Sequence, residues 1–323
     1  MSTVRDFLKQ ILPPPVSTFL REISGLREMM ERQERQTEAL TKQLQELRRQ
    51  LDALETETAA ARQALSAKQE DIRSDLQRAD QQRRELSQAV ENVRRQSADS
   101  ARYASEAVWA EIFNNAVSGS AWLKNTAFSP GRWAVGYPVL YVLYRTLNEV
   151  RPRRILELGL GQSTRMLAQY ATANQDVEHI VVEHDPEWIR FFQNDFILSE
   201  RTSIVQLDRE TVPYKEAEAV RVFRDFKETF RGQKFDLILI DAPLGGDMKE
   251  YARIDVLGLL PDCLSEKFVM IMDDCERSGE THTVAEMRKC LEGRGITVAE
   301  GRYSGKKDAV LLCSKTLGFL TTM

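Results

Sequence analysis

The sequence predicts an α/β domain built on a doubly wound, mostly parallel sheet of seven strands, preceded by a long α-helical coiled coil. Two observations lead to this prediction. The first half of the chain contains a long stretch without glycine or proline and with a repeating apolar pattern, and the second half alternates short apolar segments with helix-like segments. Of the 323 residues, 42% are hydrophobic and 29% are charged. This is enough apolar material to form a core, so a largely disordered chain is excluded.

The first half of the chain has the pattern of one continuous helix. Residues 26–118 contain neither glycine nor proline, and most are good helix formers such as Ala, Leu, Glu, Gln and Arg. Apolar residues recur at alternating spacings of four and three residues, which is the repeat of a left-handed coiled coil. These seam positions are Leu40, Leu44, Leu47, Leu51, Leu54, Thr58, Ala61 and Leu65. The pattern resumes from Ile72 to Val93 after an insertion of four residues, a stutter at which the supercoil locally unwinds.

The narrow apolar seam needs a partner, because a helix of about 90 residues would otherwise expose it to water along about 135 Å. A helical hairpin would need a turn, and the stretch lacks the residues that favour one. We therefore expect a parallel homo-oligomer, with a dimer favoured over a trimer. The alternative is an extended, solvated helix.

The chain divides into three predicted regions. These are an N-terminal segment of residues 1–19, a coiled-coil oligomerisation region of residues 20–106 and an α/β domain of residues 107–323. Apolar residues between Val4 and Ile11 fall at helical spacing, so this short segment is a candidate contact for a membrane surface or a partner. At this length we favour the other interpretation, a frayed or locally packed terminus.

Composition excludes several classes of protein. The net charge of −4 and the lack of a basic stripe with interleaved aromatic residues argue against a nucleic-acid partner. No run of about 18 apolar residues predicts a transmembrane segment, and residues 1–10 lack the apolar core of a secretion signal. We expect a cytoplasmic protein, either free or peripheral at the inner membrane surface. Its four cysteines have no CxxC spacing and are expected to be buried thiols.

Seven segments of the second half are candidate strands. They are Arg154–Leu158, His179–Glu183, Ser203–Leu207, Phe235–Asp241, Phe268–Asp273, Ile296–Ala299 and Ala309–Ser314. Their alternation with helical segments predicts right-handed crossovers and a parallel sheet covered on both faces. The last two candidates are close in sequence and separated by glycines, so we expect an antiparallel pair at the sheet edge.

Acidic residues end four successive candidate strands, at Glu183, Asp208, Asp241 and Asp273-Asp274. Ligands of doubly wound sheets bind beyond the carboxyl ends of the strands. The first strand ends in the glycine-containing turn Glu157–Thr164, which lets the backbone approach a ligand closely. Helix capping alone explains one or two acidic strand ends more readily than four.

The glycine turn favours S-adenosylmethionine over a dinucleotide. The dinucleotide pattern GxGxxG would need glycine at position 164, where this chain has Thr164. Glu157, two residues before the first glycine, would repel a pyrophosphate but suits a ligand with a cationic amino group. Glu183 lies 22 residues after Gly161, a distance at which a carboxylate accepts hydrogen bonds from both ribose hydroxyls of a nucleoside.

At these motifs the chain resembles the class I S-adenosylmethionine-dependent methyltransferases, with their Rossmann-like sheet. The motifs are Ile155–Gly161, Val182–Asp185 and Phe235–Asp241, and the resemblance covers roughly residues 129–323. It implies that the backbone at Gly159 and Gly161 holds the methionine part of the cofactor, together with Glu157. The hydroxyl of Ser163 would bind the cofactor carboxylate or cap the helix. Glu183 would take the ribose hydroxyls, and Asp208 would lie near the adenine.

Asp241, Asp273 and Asp274 also resemble the metal site of the catechol-type O-methyltransferases. That resemblance implies Mg²⁺ or another divalent cation, which would bring a substrate hydroxyl close and lower its pKa. Two departures are Asp274 in place of asparagine and the lack of a lysine closely following Asp241. The candidate catalytic residues are Asp241 and Asp273, with His282 as a further candidate base; an exposed histidine at a helix start is the alternative for His282.

These observations favour an O-methyltransferase that acts on a small molecule or glycan and is oligomerised by its coiled coil. A second hypothesis is a scaffolding protein whose methyltransferase-like domain has lost catalysis. A nicotinamide enzyme is a third, opposed by Glu157 and Thr164.

Overall fold

A computed structural model of the chain describes residues 16–131 and 134–322. The apolar segment between Val4 and Ile11 lies outside the described residues. The chain divides into two compact units, one up to Val90 and one from Glu91 onward. Among the described residues, no helix combines the length and the apolar character needed to cross a membrane.

Helix α1 runs without interruption from Val16 to Val117, over 102 residues. A single helix thus covers the whole predicted coiled-coil region. In the unit up to Val90 the predicted seam faces solvent: Leu40, Leu51 and Leu65 are 57–60% exposed. Association through this seam therefore stays a prediction, as do the predicted domain bounds.

The last turns of α1 belong to the α/β unit. Phe113 and Val117 are buried, and the ring of Phe113 packs edge-on against Phe128 at 5.7 Å between ring centres. Trp109 packs similarly against Tyr303. The predicted boundary between residues 106 and 107 accordingly falls inside this helix.

The remaining elements follow in a regular order. The helices are α2 (Tyr137–Glu149), α3 (Gln162–Ala173), α4 (Pro186–Asp195), α5 (Phe226–Phe230) and α6 (Ser278–Glu292). The strands are β1 (Arg154–Leu158), β2 (Glu178–Glu183), β3 (Thr202–Gln206), β4 (Arg209–Tyr214), β5 (Ala217–Phe223), β6 (Phe235–Ile240), β7 (Leu264–Met272), β8 (Val298–Ser304) and β9 (Asp308–Ser314).

Seven strands form the predicted doubly wound sheet, in the order β3-β2-β1-β6-β7-β9-β8. All pairs from β3 to β7 are parallel, and β9 runs antiparallel to both β7 and β8. This confirms the mostly parallel sheet and the antiparallel pair at its end. Because the parallel strands share one direction, the residues that follow β1, β2, β6 and β7 meet at a single edge of the sheet.

The core lies on both faces of this sheet. Ile155 and Leu237 point to a layer that contains α2 and α3, whereas Leu156 and Ile238 point to the opposite layer. All four are fully buried. Alternate residues of a strand point to opposite faces, so a strand buried on both faces must be apolar throughout, as the sequence predicted.

A two-stranded hairpin of β4 and β5 was missed by the sequence analysis. Its residues alternate between exposed charged side chains and half-buried apolar ones, and Val220 packs against Tyr251 and Ile254 beside the main sheet. None of the seven candidate strands covers this segment. Strand β8 was also placed too early, since it begins at Val298.

Candidate active site

A cavity of about 380 Å³ lies at the carboxyl ends of β1, β2 and β6. Its volume falls within the range of about 300–1,000 Å³ that is typical of small-molecule sites. The residues that line it are Ser129, Gly131, Ala134, Gly159, Leu160, Gly161, Gln162, Glu183, His184, Trp188, Arg209, Asp241, Ala242 and Leu244. Of the predicted site residues, Gly159, Gly161, Glu183 and Asp241 therefore share one cavity.

The turn after β1 forms one wall of the cavity. Gly159 has a φ of +105°, a left-handed conformation that favours glycine, and a Cβ there would lie 3.1 Å from the Cβ of Ala242. A Cβ on Gly161 would meet no protein atom within 4 Å. The Gly161 N–H donates to Oγ1 of Thr164 at 2.9 Å. Thr164 thus closes the first turn of α3 where the dinucleotide pattern has its third glycine.

Glu183 is the acidic group of the cavity wall at the end of β2. Its Oε1 accepts hydrogen bonds from the backbone N–H groups of His184 at 2.7 Å and Asp185 at 3.0 Å. Its Oε2 accepts one from the N–H of Leu160 at 3.2 Å. These bonds link the carboxylate to the glycine turn, so its orientation is fixed before any ligand arrives.

Glu157 and Ser163 lie beneath the glycine turn, and their predicted contact with the cofactor stays a prediction. The Glu157 side chain is fully buried, with Oε1 accepting from Oγ of Ser163 at 2.5 Å and Oε2 lying 3.0 Å from Nε2 of His179. His179 in turn lies 3.3 Å from Oγ1 of Thr202. Glu157 and Ser163 are absent from the lining of the cavity. The pair therefore ties β1 to β2 and to α3 beneath the turn.

Asp208 and His282 lie outside the lining of the cavity. Asp208 is exposed, with Oδ2 3.3 Å from Nη1 of Arg224, and the next residue, Arg209, reaches the cavity instead. His282 is exposed on α6, with Nδ1 2.7 Å from the carbonyl oxygen of Glu250. The structure therefore does not bring these two residues to the cavity, and their predicted roles stay predictions. The β4–β5 hairpin starts directly after Asp208, and no strand was predicted at that position.

Asp241, Asp273 and Asp274 form an acidic cluster at the ends of β6 and β7. Each offers an oxygen within 4.8 Å of the others. Asp273 and Asp274 are buried, whereas the side chain of Asp241 is 16% exposed and lines the cavity. The three residues meet at the sheet edge, as expected.

Two buried cations lie among the carboxylates of the acidic cluster. Nη2 of Arg253 is 3.2 Å from Oδ1 of Asp241 and 2.5 Å from Oδ2 of Asp274. Nζ of Lys307 is 3.3 Å from Oδ2 of Asp273 and 3.0 Å from Oδ1 of Asp274. With these groups in place, the carboxylates do not fit a divalent cation, because four of their oxygens already face a positive charge.

The charges of the cluster shift the pKa values of its members. Burial, together with the charge of Asp273, raises the pKa of Asp241 well above its usual range. Burial raises the pKa of Asp273 to about 6. Burial acts in the same direction on Asp274, but Arg253 and Lys307 outweigh it and lower its pKa. The pKa values of the three aspartates are therefore shifted in different directions, although each of the three carboxylates lies beside Arg253, Lys307 or both.

Sequence reasoning missed Arg253 and Lys307, because they reach the cluster from distant parts of the chain. Arg253 follows β6 by 13 residues, and Lys307 lies between β8 and β9. One weak sign in the sequence indicates that this cluster differs from the metal site of the catechol-type O-methyltransferases, namely the lack of a lysine closely following Asp241.

No family model matches the chain, and no curated protein matches it. Solved structures do match. One is an O-methyltransferase from Bacillus cereus in complex with SAH, with a TM-score of 0.39, 15% identity, and coverage of 65% of this chain and 90% of that one. Another is the O-methyltransferase TomG from Streptomyces achromogenes in complex with SAM, with a TM-score of 0.39, 16% identity, and coverage of 56% and 82%. A third is the SAH-bound methyltransferase PaMTH1 from Podospora anserina, with a TM-score of 0.37, 16% identity, and coverage of 62% and 96%.

The fold itself is defined by the strand order. The switch point between β1 and β6, the glycine turn after β1 and the reversed β9 are all present in one sheet. By these features, the α/β domain of this chain has a Rossmann-like, doubly wound fold.

Proposed function

We propose that the chain is an S-adenosylmethionine-dependent methyltransferase whose cofactor site is the cavity at β1, β2 and β6. The observation that carries this proposal is the position of Glu183. Its carboxylate is fixed by three backbone N–H groups across from the glycine turn, and it lines a cavity of suitable volume. When bound, S-adenosylmethionine supplies a methyl group on a positively charged sulfur.

The cavity residues offer contacts for two parts of such a cofactor, the ribose and the methionine part. Glu183 accepts hydrogen bonds from the ribose hydroxyls, and the open space at Gly161 leaves room for the methionine part beside the backbone. Trp188 closes another side of the cavity, where its indole N–H donates to the carbonyl oxygen of Leu160 at 2.7 Å. Glu157 acts below the turn as a positioning residue for it.

The acceptor end of the cavity favours a hydroxyl substrate. Asp241 lines the cavity, so its carboxylate is placed to accept a proton from a hydroxyl group bound there. In the proposed reaction, the hydroxyl oxygen of the acceptor takes the methyl group from the sulfur, and its proton passes to Asp241. A small molecule or a glycan is the acceptor class that we propose.

We further propose that α1 joins two copies of the chain as a parallel coiled coil. The exposed seam of Leu40, Leu51 and Leu65 supports this, since burial of each leucine contributes about 1.5–3 kcal/mol. A parallel pairing would hold two α/β domains at the same end of the coil. We propose that the protein lies in the cytoplasm and contacts the inner membrane surface through its first residues.

A scaffolding protein without catalysis remains the competing function. The charged partners around the acidic cluster favour it, because they occupy oxygens that a catalytic metal would otherwise use. Cofactor binding without methyl transfer to any hydroxylated acceptor would support this alternative.

Calorimetric titration of the full chain with S-adenosylmethionine tests the cofactor site. We expect one site per chain and at least about tenfold weaker binding in Glu183→Gln, since a lost pair of charge-assisted hydrogen bonds costs about 1.5–3 kcal/mol. Glu187→Gln is the matched control, because Glu187 is exposed on α4 and lies outside the cavity lining. Lack of binding by the wild type, or equal affinities of the wild type and Glu183→Gln, would disprove the assignment.

A further inference from the structure

The acidic cluster contains its own counter-ions. Arg253 bridges Asp241 and Asp274, and Lys307 bridges Asp273 and Asp274. Both cations are largely shielded from solvent, with side-chain exposures of 2% and 10%. Arg253 and Lys307 therefore form buried ion pairs with these carboxylates, rather than solvent-exposed pairs at the surface.

Arg253 is fixed by the backbone as well as by the carboxylates. Its Nη1 donates to the carbonyl oxygen of Asp273 at 3.0 Å, and its Nε donates to that of Pro243 at 3.3 Å. Its φ of 58° is left-handed, a costly conformation for a residue with a side chain. The backbone of Arg253 is therefore strained, and this conformation places its guanidinium in the cluster.

Lys307 is delivered by the tight connection between β8 and β9. The flanking residue Lys306 donates its backbone N–H to Oε2 of Glu106 on α1 at 2.8 Å. On the other side, Asp308 pairs with Nη2 of Arg102 at 2.9 Å. The last turns of α1 therefore fix this connection on both sides of the lysine.

These cations oppose a divalent ion at the cluster. Mg²⁺ and Ca²⁺ need several oxygen ligands at about 2.0–2.6 Å, and four of the six carboxylate oxygens of the cluster already face Arg253 or Lys307. A divalent ion would also lie within a few ångströms of two positive charges in a poorly solvated place, where repulsion is strong. Among the described residues, two buried oxygens of the cluster have no hydrogen-bond partner, Oδ1 of Asp273 and Oδ1 of Asp274, and the second of them lies 3.0 Å from Nζ of Lys307.

We propose that Arg253 and Lys307 take, within the acidic cluster, the place of the divalent cation held by the catechol-type O-methyltransferases, so that this chain orders its cluster without a metal. This inference rests on the proposed function, because it concerns the same cavity. The cluster then positions Asp241 through a guanidinium, and Asp241 rather than a bound ion meets the acceptor.

Binding of Mn²⁺ to the full chain tests this inference, with Mn²⁺ as a probe for an oxygen-ligated divalent site. The chain is first treated with a chelator and dialysed, and free Mn²⁺ is then followed by its electron paramagnetic resonance signal. The variants are Lys307→Met, Asp273→Asn, Lys307→Met combined with Asp273→Asn, and the control Lys306→Met, which removes the same charge one residue away. Circular dichroism and melting temperature establish that each variant is folded.

We expect the wild type and Lys306→Met to show no saturable Mn²⁺ site. Lys307→Met should gain at least about tenfold in Mn²⁺ affinity, because a positive charge near Asp273 and Asp274 is removed, and the added Asp273→Asn should abolish the gain. A saturable wild-type site that Asp273→Asn removes would overturn the proposal, and so would a folded Lys307→Met that gains no affinity. Failure of S-adenosylmethionine to bind would instead refute the proposed function, and the Mn²⁺ result would be unaffected by it.

Discussion

The carboxylate of Glu106 on α1 accepts a hydrogen bond from the backbone N–H of Lys306, 200 residues later in the chain. Its other oxygen accepts one from the N–H of Tyr137 at 2.7 Å, at the start of α2. A Cβ on Gly305 would overlap Glu106, so the connection before β9 has a glycine where this carboxylate approaches. One side chain of the long helix therefore fixes two separate parts of the α/β domain.

Replacing Glu106 by glutamine should destabilise the α/β domain. The amide group has one accepting oxygen, so one of the two backbone N–H groups loses its partner, at a cost of about 1–3 kcal/mol. Urea unfolding, followed by circular dichroism, measures this cost. Glu111→Gln is the control, because Glu111 is exposed on the same helix and bonds only to its neighbour Asn115 among the described residues. Equal unfolding midpoints for the two variants would contradict the proposed anchoring.

Asp255 should make the stability of the fold depend on pH. Its Oδ1 accepts from the N–H of Phe223 at 2.7 Å, while its Oδ2 has no hydrogen-bond partner in the described part of the chain. Burial raises the pKa of Asp255 from 3.8 to about 7. Between these values the folded chain holds a proton that the unfolded chain has released. The free energy of unfolding therefore falls as pH rises from about 4 to about 7.

In the variant Asp255→Asn, the free energy of unfolding should no longer fall over this pH range, because the amide keeps an accepting oxygen and does not ionise. We expect it to be more stable than the wild type by up to about 4 kcal/mol at pH 8, with a smaller difference at pH 5. Urea unfolding at both pH values gives the comparison, with the exposed Asp262→Asn as control. If the free energy of unfolding changed equally with pH in Asp255→Asn and in the wild type, Asp255 would not be the group that causes the pH dependence.

The apolar seam of α1 should set the oligomeric state. Leu47→Asp combined with Leu51→Asp places two charges in the predicted seam, and charges there have to be desolvated on association. Light scattering should give twice the chain mass for the wild type and the single chain mass for this variant. Gln45→Asp combined with Ala53→Asp adds the same charge outside the seam and should leave the mass unchanged. A wild type of single chain mass would refute the coiled-coil prediction.

Glu157 should affect stability more than cofactor affinity. Glu157→Gln replaces one oxygen beside His179 by an amide, within a fully buried network, and we expect a loss of about 1–3 kcal/mol. The folded variant should bind S-adenosylmethionine with a smaller loss of affinity than Glu183→Gln. Calorimetry of both variants makes the comparison, and a larger loss in Glu157→Gln would restore the cofactor contact that the sequence suggested.

The sheet could be predicted because its strands are buried on both faces. Segments such as Leu237–Ile240 are apolar throughout, and such a run between helical segments admits few other interpretations. The position of Glu183 and Asp241 follows from the sheet, since parallel strands end at one edge. Residues placed by strand ends were thus predictable from local sequence alone.

Residues placed by long-range contacts were not predictable in this way. Arg253 and Lys307 lie in connections, and only the folded chain brings them to Asp274. The burial of Glu157 depends on its pairing with His179 in the neighbouring strand, which the glycine motif does not encode. The β4–β5 hairpin alternates charged and apolar residues, and it is stabilised by Tyr251 and Ile254 from a distant segment.

A crystal structure of the full chain grown with S-adenosylhomocysteine would show where the cofactor binds. We expect the nucleoside in the cavity at β1, β2 and β6, with both ribose hydroxyls within hydrogen-bond distance of the Glu183 carboxylate. A ligand bound elsewhere, or a ribose in this cavity that does not contact Glu183, would contradict this expectation.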